Sequence, residues 1–141
     1  MTSTALVCGI REIFGPCAAS LSGIWNSSFI SAAGSKVLKS RDPFLSVQSL
    51  SVCAEKWKDG LDAHDWHVSP IYGDLKGIRN VTVFVGTSEI FFPDVTKFFR
   101  MLDRDPSNEL IIGDEMNHVY PLFPIPEAKS AVDRIFQAVA R

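Results

Sequence analysis

The words VTVFVG at 81–86 and NELIIG at 108–113 constrain this chain more than anything else in it. Each is rich in β-branched and large apolar residues and closes on glycine, the pattern of a strand buried on both faces of a sheet. Between them Val95, Phe98, Phe99 and Leu102 recur at i, i+3, i+4 and i+7 behind Pro93 and Asp94, a helix start followed by an apolar stripe. Strand, helix, strand in that order predicts two parallel strands joined by a right-handed crossover. The loops leaving both strands then gather at one edge of the sheet.

The flanks extend the same alternation. In SRDPFLSVQSLSVCAEKWKDG, Val47, Leu50, Ala54 and Trp57 fall at helical spacing, with Ser46 placed to cap the helix and Gly60 to stop it. The stretch LDAHDWHVSPIYGDLKGIRN carries Pro70, Gly73, Gly77 and Asn80 and reads as a loop crossing the surface. Near the end, Ala128, Ala131, Val132, Ile135, Phe136 and Val139 form a stripe behind Pro126, with Arg134 and Arg141 suited to the negative end of a helix. The order helix, strand, helix, strand, loop, helix is that of an α/β fold. Two strands are few for a sheet, so an incomplete sheet flanked by helices is expected. Residues 1–40 differ: they are rich in Ser, Ala and Gly, carry charge only at Arg11, Glu12, Lys36 and Lys39, and hold no period for long. They are expected to be an irregular segment ahead of an α/β domain spanning 41–141.

Composition removes several classes of function. The 141 residues carry 14 basic and 16 acidic side chains, a formal net charge of −2, with no like-charged runs, so neither nucleic acid nor an anionic membrane surface is expected as a partner. Cys8, Cys17 and Cys53 are too few and too dispersed for a disulfide framework or a zinc site, and read as reduced, half-buried thiols. The apolar words near the N-terminus are interrupted by Arg11 and Glu12 and lack a basic lead, so no signal peptide or membrane span is expected and the expected compartment is cytoplasmic.

Two titratable residues occupy the edge where chemistry would collect. Glu89 lies three residues past Gly86, and His118 lies five past Gly113 in GDEMNHVYPLFPIPEAK. In a parallel pair both emerge beside one another, where a carboxylate can hold an imidazole in the tautomer that leaves its other nitrogen free as a base. The same residues could also be ordinary loop positions. Asp94 is an alternative acid. His64 and His67 are spaced i, i+3 beside Asp65, but no further ligand completes a metal set and a surface loop anchored by Trp66 is the simpler reading. Phe91, Phe92, Tyr120 and Phe123 flank the pair as core packing or as the wall of an apolar pocket, and FFPDVTKFF could drive self-association.

The words SPIYGDLKGIRNVTVFVGTSEIFFPD and MNHVYPLFPIPEAKSAVDRIF resemble the C-terminal part of α/β-hydrolase-fold esterases of the hormone-sensitive-lipase-like group, over about Arg41 to Ile135. The resemblance implies a carboxylic ester hydrolase with a Ser–acid–His triad and no metal or organic cofactor. It maps the triad acid onto Glu89, with Glu in place of the usual Asp, and the triad histidine onto His118; Asp94 falls on a later, non-catalytic acid. The group's Gly-x-Ser-x-Gly nucleophile elbow and its HGG oxyanion word do not occur in this sequence. Ser20 and Ser22 in SLSGI lack the strand-to-helix setting of an elbow, so no nucleophile is identified. The expectation is a truncated chain that keeps acid and base, is inactive alone, and acts on a small carboxylic ester if completed. A different class of function stands beside it: a non-catalytic module pairing through its exposed sheet edge with a copy of itself or with a separately encoded N-terminal half.

Overall fold

A computed structural model describes residues 5–6, 42–67 and 69–139 of the chain. Its centre is a parallel sheet in which β2 (Thr82–Gly86) lies between β1 (Ala5–Leu6) and β3 (Glu109–Gly113). The β2–β3 register pairs Thr82 with Glu109 and Gly86 with Gly113, so the two strands end level. Every residue of β2 is buried, as its uninterrupted apolar run requires. β1 pairs Ala5 with Thr82 and Leu6 with Val83, which puts two residues of the expected irregular segment into the sheet; the rest of 1–40, including Cys8, Cys17, Ser20 and Ser22, lies outside the described residues.

Among the described residues three helices accompany the sheet. α1 (Val47–Lys58) begins where Ser46 Oγ accepts the Ser49 N–H at 3.1 Å and ends in left-handed backbone at Asp59 and Gly60. α2 (Phe92–Met101) is the crossover between β2 and β3; Pro93 sits in its first turn, where a missing N–H costs nothing, and its stripe buries Val95, Phe98 and Leu102. These join Ile71, Val81, Val83, Val85, Ile90 and Phe91 in the main core, with Leu45, Val47 and Leu50 packed against it. α3 (Ala128–Val139) closes a second, smaller cluster of Phe84, Tyr120 and Ala131. Arg134 of α3 pairs with Glu109 of β3 rather than only facing the helix end, its Nε donating to Glu109 Oε2 at 2.8 Å.

Several positions depart from the sequence reading. Cys53 is exposed, because it sits on the face of α1 turned away from Ala54. Trp57 and Phe136 lie beyond the buried part of their stripes and are exposed. The 61–80 stretch is not wholly superficial: Ser69 and Ile71 are fully buried around a 3-10 turn at Pro70–Tyr72, because Ile71 supplies part of the main core. Trp66 does not anchor that stretch; it is exposed and lies against the His67 ring. The phenylalanines of FFPDVTKFF are buried or half-buried, so that word does not present an apolar surface.

Candidate active site

The level ends of β2 and β3 bring two loops into contact. From β2 the chain turns tightly, with the Glu89 N–H donating to the Gly86 carbonyl at 3.3 Å and Glu89 Oε2 accepting the Gly86 N–H at 3.1 Å. From β3 the 114–119 loop folds over this turn. The Ser88 N–H donates to the Met116 carbonyl at 3.0 Å, the Thr87 N–H to the Gly113 carbonyl at 2.9 Å, and the Glu115 N–H to Thr87 Oγ1 at 2.8 Å. Gly86 permits that approach: a Cβ there would overlap the Met116 carbonyl and reach 3.0 Å from the Asn117 oxygen. A side chain is excluded by backbone, which has little room to yield.

This stacking sets His118 against Glu89. His118 Nδ1 lies 3.5 Å from Glu89 Oε1, a long hydrogen bond of the kind that tightens when a site fills. Glu89 is 1% exposed and spends its other oxygen on Gly86, so one oxygen is left to face the imidazole. An acceptor at Nδ1 selects the Nδ1–H tautomer and leaves the Nε2 lone pair free to take a proton. Phe91 meets the ring edge-on with centroids 5.5 Å apart, and Val119, the next residue, holds left-handed backbone at φ 54°. For a β-branched residue that conformation is strained and fixes the direction in which the histidine leaves the chain. Tyr120 packs beneath, its hydroxyl pKa raised by burial and then by the charge of Glu89.

The alternative acid stands elsewhere. Asp94 lies in the first turn of α2, is 2% exposed, and its Oδ2 is buried with no hydrogen-bond partner. Burial pushes its pKa up to about 6, against a weaker opposing pull from Lys97. Phe123 stacks on Phe44 with centroids 5.5 Å apart and Phe92 is half-buried. His64 and His67 do not meet as a ligand pair: each turns back on its own aspartate, Nδ1 lying 3.2 Å from Asp62 Oδ1 and 2.7 Å from Asp65 Oδ1 respectively. Among the described residues no group of three His, Cys, Asp or Glu side chains is disposed to hold a metal, and no helix is long and apolar enough to cross a membrane. Sequence reasoning overlooked Asp42, whose carboxylate reaches the acid loop; an Asp-Pro pair ahead of a helix cap was the signal that could have drawn notice to it.

Comparison with solved structures finds this fold in esterases. A candidate esterase from Staphylococcus aureus superposes with a TM-score of 0.70 at 27% identity, over 85% of this chain and 41% of that one. EstE5 superposes with a TM-score of 0.71 at 25% identity, over 82% of this chain and 43% of its own. A hormone-sensitive lipase from a metagenome library gives a TM-score of 0.71 at 23% identity, over 80% and 40%. The chain spans about 40% of the length of the esterases it matches. No protein-family model matches the sequence, and comparison with curated proteins finds no match. The fold resembles the C-terminal part of an α/β-hydrolase esterase of the hormone-sensitive-lipase-like group, with few parallel strands, flanking helices and an incomplete sheet.

Proposed function

We propose that this chain carries the acid–base half of a carboxylic ester hydrolase, with His118 as the base and Glu89 as the acid that orients it. The observation that carries the proposal is the 3.5 Å contact between His118 Nδ1 and a buried Glu89 carboxylate, formed by loops leaving adjacent parallel strands. In this reading Glu89 keeps the proton on Nδ1, and Nε2 removes the proton from a serine hydroxyl as it attacks the ester carbonyl. The resulting imidazolium, stabilised by Glu89, returns the proton to the departing alkoxide; water then replaces the alcohol and the acyl-enzyme is cleaved by the same steps. Asp94 has no part in it. No metal or organic cofactor enters this scheme.

The 141 residues contain no Gly-x-Ser-x-Gly elbow and no HGG word, and a base without an activated nucleophile and oxyanion donors lacks the larger share of the rate acceleration. We therefore propose a truncated site that is inactive as this chain alone and takes a small carboxylic ester once a nucleophile is supplied. The test is hydrolysis of a short-chain p-nitrophenyl ester by the chain and by His118→Ala. Indistinguishable background rates are expected from the two. Turnover abolished in His118→Ala would overturn the proposed inactivity and establish His118 as catalytic.

A second reading, a module pairing through its sheet edge, draws support from β3, which among the described residues lies at the end of the sheet order and leaves Ile112 half exposed. The partner would be a copy of this chain or a half carrying the serine. A monomer by light scattering at concentrations on the order of tens of micromolar would count against self-pairing.

A further inference from the structure

Asp42 is a carboxylate, distant from Glu89 in sequence, that is bonded into the backbone of the acid turn. Its side chain is 8% exposed and accepts three backbone hydrogen bonds. Oδ1 takes the N–H groups of Phe44 and Leu45, both at 2.9 Å, closing the turn that leads into α1. Oδ2 takes the N–H of Ile90 at 3.0 Å, 48 residues away and adjacent to Glu89. Ile90 is 1% exposed, so its N–H depends on this partner, and an ionised acceptor makes the bond stronger than a neutral one would. The acid turn is also held by local bonds, from Glu89 to Gly86 and from the Phe92 N–H to the Glu89 carbonyl at 3.2 Å, and on its Thr87–Ser88 side by the 113–116 loop; Asp42 holds it on the Ile90 side. The same segment also touches the histidine side of the site, where Phe44 stacks on Phe123, five residues past His118.

We propose that Asp42 is a positioning residue for the Glu89–His118 pair: its carboxylate fixes the Ile90 amide, and with it the turn from which Glu89 reaches the imidazole. This rests on the acid–base reading above and adds to it a residue that touches neither the imidazole nor any substrate.

The two oxygens of Asp42 have separate duties, which makes the role separable from folding. Asp42→Asn keeps an acceptor for Phe44 and Leu45 but can turn an amide donor toward the Ile90 N–H. Asp42→Ser keeps a hydroxyl able to serve the local turn but too short to reach Ile90. Val47→Ala loosens packing in the same region, since Val47 is half-buried against the main core, and leaves the Asp42 bonds alone.

The readout is the 15N NMR signature of the His118 ring in the full chain, at a pH where the imidazole is neutral, which reports the nitrogen carrying the proton. The parent is expected to hold the Nδ1–H tautomer. In whichever of Asp42→Asn and Asp42→Ser folds, the Nδ1–H fraction is expected to fall to about half or less as Glu89 loses its placement. Val47→Ala is expected to lower the unfolding midpoint and keep the parent tautomer. An unchanged tautomer in the Asp42 variants, or an equal loss in Val47→Ala, overturns the positioning role while leaving the acid–base pair standing. A parent that holds the Nε2–H form overturns both.

Discussion

Replacing Asp94 with asparagine should shift this protein's stability in the variant's favour as pH rises from acid to neutral. The carboxyl is 2% exposed, Oδ2 has no partner, and its pKa is lifted from the ordinary 3.8 to about 6 by burial. A carboxyl with a raised native pKa binds protons more tightly folded than unfolded, so between 3.8 and about 6 the native state holds the extra proton and stability falls as pH rises. One pKa unit corresponds to 1.36 kcal/mol, so the full shift, with the Lys97 attraction already included, amounts to about 3 kcal/mol lost by neutral pH, an upper bound because local rearrangement relieves part of it. Asparagine is uncharged throughout. The cost of seating its amide is the same at every pH and drops out of the pH dependence. Denaturant unfolding of the parent and Asp94→Asn should therefore give a stability difference that moves in favour of the variant by about 1–3 kcal/mol between about pH 4 and about pH 7.5. A difference that stays flat over that range, or grows in the parent's favour, would refute the claim that Asp94 is held in a site hostile to its charge.

Two other substitutions test how the site is assembled. Gly86→Ala should destabilise by about 1–3 kcal/mol in denaturant unfolding, since the new methyl overlaps the backbone at Met116, and should disturb the His118 ring signals because the displaced loop carries that residue. Parent-like stability together with parent-like ring signals would show that the two loops are not stacked this closely. Val119→Gly relieves left-handed strain in a β-branched residue and gives back part of the gain as unfolded-chain entropy, for a net stabilisation of about 0.5–1 kcal/mol. A fall in the unfolding midpoint would argue that Val119 is unstrained.

The strands and helices were legible because each depends on local pattern. VTVFVG could be read as doubly buried, the Val95–Leu102 stripe as a crossover helix, and Ser46 with Gly60 as its predecessor's ends, since capping and periodicity act within a few residues. The juxtaposition of Glu89 and His118 was legible for a less local reason: parallel strands in level register must release their next loops side by side. What escaped the sequence is set by partners far along the chain. Nothing near Asp42 announces a bond to Ile90, nothing near Gly86 announces the Met116 carbonyl above it, and the burial of Asp94 depends on how α2 sits against the core. Exposed members of otherwise correct stripes, Trp57 and Phe136, mark where a helix outruns the surface that covers it.

The site's geometry and its chemistry can be tested apart. Residues between Asp42 and Phe123 seat the Glu89–His118 pair: the Gly86 and Ile90 amides, the Thr87 and Ser88 contacts to the 113–116 loop, and the Phe91 edge. A tautomer measurement on this chain therefore reports whether the pair is preorganised without requiring a nucleophile to be present. Ester turnover requires that nucleophile as well, and the 141 residues supply no elbow for one. An ordered Nδ1–H histidine in a chain with no esterase activity would show that the proposed pair is formed and that turnover is limited by the nucleophile. A disordered histidine would locate the fault in the pair itself, and supplying a serine would then restore nothing.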